Sequence, residues 1–411
     1  MALLLPAFGL WGGTAYAAST TDANLAIPAA PFKAPYVPSS DSANLQEVPS
    51  TSDPAVLEMK TLRSQLDATP HSLPAAIRLA GAYVDYGRQV GDAHYAGYAE
   101  AVITPWIANP HPPVSALVTE ATILQYRHQF TESRQLLQRT LTIDPANAQA
   151  WLTLATLDMV QGDYETAAKD CVQVTRSAGF QIGLACSGNL RSYVGQARQS
   201  LAILQQVETR GDQVSTSYQA WVEGLLAEVA ERLGDWPLAE SHYRKALTIL
   251  PHDNFLLVAY ADFLLDRARP KEVLSLLADH TQSDTAFLRL ALAQSALHST
   301  ETQRYIWIMA ARFEALRLRG SALFGREQAR FALELQHDPQ TALSLALQNW
   351  HVQREPWDTR LVLEAALAAG QPQAAVEVLG FLQKHKLQDP IIEPLARELS
   401  AKLKPTGGAT Q

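Results

Sequence analysis

Residues able to do acid–base, nucleophilic or metal chemistry are scattered along this chain of 411 residues. Its 11 histidines form no His-Glu-x-x-His motif and no cluster with the two cysteines at zinc-ligand spacing. His351 and Glu355 lie four positions apart, but a helical face between Trp350 and Trp357 accounts for them as solvated residues. Glycine-rich phosphate loops and a Gly-x-Ser-x-Gly elbow are also missing. The sequence therefore predicts no catalytic residue, no metal site and no cofactor.

Three arginines between Ala286 and Ser321 could bind an anion: Arg312, Arg317 and Arg319. An enzyme with its active site in this segment, residues 286–321, is therefore one hypothesis. The favoured interpretation is structural, because the run IWIMAARFEALRLRG would form an elongated helix at a bend.

The two cysteines, Cys171 and Cys186, are predicted to form a disulfide if the protein is exported. Gly179 lies eight residues after Cys171 and seven before Cys186, between two helical patterns. At about 1.5 Å of rise per residue, two antiparallel helices would bring both cysteines to the same height. The alternative is a pair of buried free thiols.

The elements that must position these residues repeat with a period of about 34 residues. Leu137 lies 34 positions before Cys171, and both occupy the packing face of a second helix. Trp151 is assigned to the packing face of a first helix, and Gly162 ends that helix. Such a period indicates stacked helical hairpins, since one hairpin cannot bury its own amphipathic face.

This pattern resembles the tetratricopeptide repeat (TPR), of the kind found in exported bacterial proteins. The resemblance is most specific in the units ending near Pro145, Val174 and Pro251, and small residues such as Ala167 and Ala239 occupy the close helix crossings. We interpret about nine hairpins between residues 74 and 388. The resemblance implies an all-α, right-handed superhelical solenoid whose concave groove binds peptides or proteins.

The resemblance also implies which residues line that groove, on the first helix of each hairpin. Only Asn189 matches the lysine and asparagine positions that capture a terminal carboxylate in some family members, so that mode is disfavoured. The expected lining is apolar and aromatic at first and acidic further along, which suits a peptide or protein partner with basic residues. Trp221 fits the core nearly as well as the groove. The predicted groove residues are Tyr126, Leu152, Met159, Tyr193, Trp221, Glu228, Arg232 and Asp262.

The two ends of the chain carry targeting and linker signals. An apolar run from Leu3 to Trp11 precedes an Ala15-Tyr16-Ala17 step, which predicts a secretory signal with cleavage after Ala17. No lysine or arginine occurs before Lys33, so the basic segment that normally opens a signal is missing and the real start could lie upstream of Met1; an uncleaved anchor is the alternative. The Pro-rich stretch that follows is predicted to be a disordered tether.

Composition limits the class of partner. Charged residues make up 18% of the chain and the formal net charge is -8, which disfavours nucleic acid and favours a basic or neutral partner. No run after the signal is long enough to cross a membrane.

These patterns divide the chain and suggest a function. We expect a non-enzymatic adaptor that binds a peptide or protein partner in the cell envelope, most simply the periplasm; a scaffold for polysaccharide export is the alternative. The predicted segments are a signal peptide (1–17), a tether (18–55), N-terminal helices with the first hairpin (56–113), the central array (114–287), a degenerate hairpin (288–322), C-terminal hairpins (323–388), and a capping helix with the tail (389–411).

Overall fold

The computed structural model describes residues 53–208, 215–318 and 325–403, and within these ranges the regular secondary structure is helical throughout. This confirms the all-α fold class. The predicted signal peptide lies outside the described residues, as do most of the tether and the tail from residue 404. The helices are α1 (Pro54–Ala68), α2 (Leu73–Val90), α3 (His94–Ile107), α4 (Val114–Tyr126), α5 (Phe130–Ile143), α6 (Ala148–Gln161), α7 (Tyr164–Ala178), α8 (Phe180–Tyr193), α9 (Ala197–Glu208), α10 (Thr216–Arg232), α11 (Trp236–Ile249), α12 (Asn254–Asp266), α13 (Pro270–Leu276), α14 (Asp284–Ala296), α15 (Thr302–Leu318), α16 (Gly325–Glu334), α17 (Pro339–Val352), α18 (Pro356–Ala368), α19 (Val376–His385) and α20 (Ile392–Leu403).

Consecutive helices form hairpins that stack in chain order, which confirms the predicted solenoid. The pairs are α2–α3, α4–α5, α6–α7, α8–α9, α10–α11, α12–α13, α14–α15, α16–α17 and α18–α19. Helix α1 packs on α2, and α20 packs on α18. Helix α1 begins at Pro54 because Asp53 caps it by accepting the N–H of Ala55, so residues 54 and 55 belong to a helix rather than to the tether.

The residues assigned to helix crossings are buried as the repeat pattern predicts. Ala167 of α7 and Ala239 of α11 are fully buried, and Leu137 and Cys171 pack at equivalent positions of their hairpins. Trp151 departs from its assignment to the core. It is only half-buried, and its Nε1–H donates to the carbonyl of Pro145 at 2.9 Å.

The turn between α6 and α7 requires glycine for two reasons. Gly162 has φ of 77°, a left-handed conformation that disfavours residues with a Cβ. A Cβ at this position would also lie 2.7 Å from the ring of Phe381 in α19. The turn is therefore shaped both locally and by a helix more than two hundred positions away.

The array curls back on itself, so that its C-terminal helices pack against α6, α7 and α8. These elements share one apolar core. The ring of Phe381 lies 5.9 Å from that of Tyr164, centroid to centroid. The N–H of Arg354, between α17 and α18, donates to the carbonyl of Val160 in α6 at 2.7 Å.

A second contact joins the N-terminal hairpin to the middle of the array. Arg88 of α2 lies 3.5 Å from the carboxylate of Asp253, which caps α12. A Cβ at Gly91 would meet Ser283 and Asn254 within 3 Å, so these segments touch closely. The concave face, formed by the first helices of the hairpins, is therefore enclosed by the chain itself.

The structure joins Cys171 and Cys186 in a disulfide between α7 and α8. Their Cα atoms are 5.5 Å apart, which is the usual separation for such a bond. Both residues are buried in the core shared with the C-terminal helices.

Helix α4 buries a carboxyl group among apolar residues. Glu120 is 0% exposed, and neither of its carboxylate oxygens has a hydrogen-bond partner among the described residues. Burial raises the pKa of Glu120 to about 8, with a smaller contribution from the negative charge of Glu100. The group is therefore mostly protonated at neutral pH.

Candidate functional site

The apolar part of the predicted groove is not accessible in this structure. Leu152, Met159 and Tyr193 are 6%, 3% and 1% exposed. They lie in the core that α6 and α8 share with the C-terminal helices, and the ring of Tyr193 stacks on Tyr164 at 5.5 Å. The sequence suggested an open groove at these positions, but the chain's own helices α16 to α20 cover them.

The two other aromatic groove candidates face neighbouring helices. Trp221 is buried beside Tyr218, with 5.6 Å between ring centroids, and belongs to the core of α8 to α12. Tyr126 is half-buried and packs against the N-terminal hairpin. Neither side chain lines an open concave surface.

The polar part of the predicted groove lines a cavity of about 70 Å³ at the centre of the closed array. Helices α10, α12, α14, α16 and α18, each the first of its hairpin, contribute to its wall, together with the segment before α20. Glu228, Arg232 and Asp262 belong to this wall. The other charged lining residues are Glu231, Asp266, Arg289, Arg326, Arg360 and Asp389.

Asp262 of α12 is the junction of a buried ion network. Arg289 donates to its two oxygens at 2.9 and 2.7 Å, and Arg330 of α16 donates to the same carboxylate. Burial alone would raise the pKa of Asp262, but these two guanidinium groups outweigh it and hold the pKa at about 2. Asp262 is therefore ionised at every physiological pH and ties α12 to α14 and α16.

Asp266, one turn further along α12, forms the matching contact with α18. Arg360 donates to its two oxygens at 2.7 and 2.9 Å. The guanidinium groups of Arg360 and Arg330 lie 4.2 and 4.5 Å from the ring of Trp357. The ring of Trp357, the bidentate pair of Arg360 with Asp266 and the bond of Arg330 to Asp262 thus hold the C-terminal hairpins against the middle of the array.

Arg326 of α16 is held by α18 in the same manner. It donates to both oxygens of Asp358 at 2.6 and 2.8 Å and to Glu355 at 2.5 Å. Asp358 also accepts the backbone N–H of Glu355 at the start of α18, so the ion pair is built into the helix cap.

Arg232 of α10 contacts the opposite wall. It donates to the hydroxyl of Ser192 and, at 3.3 Å, to Glu228, while its guanidinium lies 4.6 Å from the ring of Tyr193. Arg232 therefore joins the polar cavity to the apolar core beside it.

Two carboxyl groups in the cavity lack an arginine or lysine partner among the described residues. Glu231 has one oxygen without any hydrogen bond, and burial raises its pKa to about 8. Asp389 accepts the backbone N–H groups of Ile391 and Ile392 at 2.9 and 3.1 Å, and burial raises its pKa as well.

The ligand atoms of Glu208, Glu223 and His242, contributed by α9, α10 and α11, lie within 4.8 Å of one another and could approach a metal ion. The ammonium of Lys245, however, lies 2.7 Å from Glu208 and 3.8 Å from Glu223. Nδ1 of His242 is 2.6 Å from Glu223. We interpret the cluster as an ion network in which lysine supplies the cation.

The arginines of the degenerate segment are engaged with neighbouring residues. Arg312 donates to Asp284 at 3.1 Å and to the carbonyl of Thr281 at 2.9 Å. Arg317 donates to Glu314 on its own helix, and Arg319 lies outside the described residues. Helices α14 and α15 thus use Arg312 to stabilise their own hairpin.

Sequence analysis missed the arginines that complete the cavity. Asp262 and Arg330 are separated by 68 positions, which is two repeats of 34, and Asp266 and Arg360 by 94. The repeat places the first pair at equivalent positions of two hairpins that are not neighbours, and it does not predict that those hairpins touch. The available signal was the four-residue spacing of Arg326 and Arg330, which places two cations on one face of α16.

Among the described residues, no helix combines the length and apolarity needed to cross a membrane.

Comparisons with known proteins give distant structural likenesses. No protein-family model and no curated protein matches the chain. The chain is similar to the Cut9–Hcn1 hetero-tetramer of APC/C, with 12% identity over 84% of this chain and a TM-score of 0.39, and it spans about half (52%) of that relative. It is also similar to a tetratricopeptide repeat protein from Parabacteroides merdae (12% identity, 74% of this chain, 99% of that chain, TM-score 0.36). A third likeness is to a human IFIT1 dimer with m7Gppp-AAAA (14% identity, 85% of each chain, TM-score 0.45). The fold assignment therefore rests on the helical hairpins themselves.

Proposed function

We propose that this protein is a non-enzymatic scaffold of the cell envelope that binds a basic segment of a protein or peptide partner at the centre of its closed helical array. One observation carries the proposal: the part of the concave face that the chain does not fill with its own apolar side chains is a cavity with carboxyl groups in excess. A positively charged group of a partner would pair with these carboxyl groups.

The ion-paired groups of the cavity are poorly suited to proton transfer. A general acid or base works best when its pKa lies near the operating pH. Asp262, with a pKa of about 2, is locked in its ionised form by Arg289 and Arg330, and Arg326 is committed to Glu355 and Asp358. These groups hold helices together rather than exchange protons.

Export is part of the proposal and has two supports. The candidate signal at residues 1–17 is one. The other is the buried bond between Cys171 and Cys186, since structural disulfides persist in oxidising compartments such as the periplasm. A cytosolic location would expose the folding chain to reducing agents.

Affinity capture from an envelope fraction tests the proposal, using the full chain with its disulfide intact. We expect fewer proteins to be cross-linked when the salt concentration during binding is raised, because exposed charges are screened over about 8 Å at physiological ionic strength. Glu231→Gln should weaken capture, and the exposed Glu165→Gln should not. Capture that is insensitive to salt and equal for both variants would contradict the proposal, as would an absence of cross-linked partners.

A further inference from the structure

We propose that the central cavity is a binding site for a single guanidinium or ammonium group, the head of an arginine or lysine side chain inserted between α10, α12 and α18. The inference rests on the proposed function, because it names the part of the partner that the scaffold recognises.

The size of the cavity suits one such head group. Its volume of about 70 Å³ corresponds to roughly five water molecules. It is partly open to solvent, so a side chain can enter without the array coming apart. Glu231 and Asp389 both lie on its wall, and Oε1 of Glu231 has no hydrogen-bond partner among the described residues.

Three of the arginines that line the cavity are each already bound by two carboxylates. Arg289 contacts Asp262 and Glu327, and Arg326 contacts Glu355 and Asp358. Arg360 follows the same rule. Its guanidinium contacts Asp266 and Glu364 at 2.7 Å each.

These pairings leave the cavity with more carboxylates than guanidinium groups. Glu231 and Asp389 form no ion pair within the described residues, and the carboxylate that Arg232 contacts is Glu228, at 3.3 Å. An anion entering the site would compete with carboxylates that already saturate the arginines. A cation would instead pair with Asp389 and would favour the ionised form of Glu231, which burial otherwise keeps largely protonated at neutral pH.

Isothermal titration calorimetry on the full-length, disulfide-intact protein tests the inference directly. The probe is N-acetyl-L-arginine amide, and its uncharged isostere N-acetyl-L-citrulline amide is the control. We expect the arginine probe to bind with a dissociation constant on the order of 1 mM and the citrulline probe to bind at least about 10-fold more weakly.

Two cavity variants keep the test decisive. Glu231→Gln and Asp389→Asn should each weaken the arginine probe by about 10-fold, and Glu165→Gln should leave it unchanged. Asp389→Asn retains an oxygen that can accept the N–H groups of Ile391 and Ile392, so this variant should stay folded. It therefore tests the inference even if Glu231→Gln does not fold.

Several outcomes would overturn the inference. These are equal binding of both probes, unchanged binding in the two folded cavity variants, no binding of the arginine probe, or binding of calcium ions in its place. A failed capture experiment with normal arginine binding would refute only the scaffold function. Normal capture without arginine binding would refute only the assignment of this cavity.

Discussion

Replacing Glu120 by glutamine should change the pH dependence of stability in a direction set by its burial. The pKa of Glu120 in the folded protein is about 8, above the ordinary value of 4.5 that applies to the unfolded chain. Its protonated form is therefore favoured by folding. The stability that depends on this proton is fully present below pH 4.5 and is lost as the pH rises through 8.

The size of the effect follows from the two pKa values. Within this window each pH unit lowers the free energy of unfolding of the wild type by about 1.4 kcal/mol through this one group. Glutamine has the same shape and does not titrate. Between pH 5.5 and pH 7.5, the stability of Glu120→Gln relative to the wild type should therefore rise by roughly 3 kcal/mol.

Urea unfolding followed by circular dichroism at the two pH values measures this difference. Because variant and wild type are compared at the same pH, the other titrating groups cancel. Glu165→Gln, on the exposed face of α7, is the matched control and should show no such change. If Glu120→Gln and the wild type lost stability in parallel as the pH rises, Glu120 would have to be ionised in the folded protein, and the assignment of an unpartnered buried carboxyl would be refuted.

Three further predictions concern the packing, the ion network and the disulfide. Ala167→Leu should lower the free energy of unfolding by about 1 to 3 kcal/mol, since it overfills a helix crossing; equal urea midpoints for this variant and its exposed neighbour Ala168→Leu would contradict the register. Asp262→Asn leaves two buried guanidinium groups without their shared carboxylate and should lower the free energy of unfolding by about 3 to 5 kcal/mol, measured with urea. An unchanged free energy of unfolding would mean that water solvates the two guanidinium groups instead. Replacing both Cys171 and Cys186 by serine should lower stability by about 3 kcal/mol for a 15-residue loop, and thiol titration of denatured, unreduced wild type should find no free thiols.

The sequence was sufficient for features that depend on short chain separations. The crossing residues Ala167 and Ala239, the turn at Gly162 and the pairing of Cys171 with Cys186 all involve one hairpin or two adjacent ones. Helical periodicity sets which side chains meet at three or four positions, and the repeat sets how one hairpin meets the next. These local rules also exposed the acidic character of α10 and α12.

Helical periodicity and repeat spacing could not predict whether the concave face is accessible. Tyr193 and Met159 have the same sequence signature whether they face a partner or the protein's own core. In this structure they pack with Phe381 and Trp350 in one core because the array winds tightly enough to return upon itself.

Tertiary structure alone decided how the array closes and which charges meet inside it. The winding of a solenoid is the sum of small rotations between neighbouring repeats, so a few degrees at each interface determine whether α12 ever meets α18. The residue spacing does not reveal this total rotation. The contacts of Asp262 with Arg330 and of Asp266 with Arg360 form only because the rotations add up to bring distant hairpins together. The sequence determined a helical array whose inner surface is apolar at first and acidic further along, and the winding converted the apolar part into core and left a polar cavity beside it.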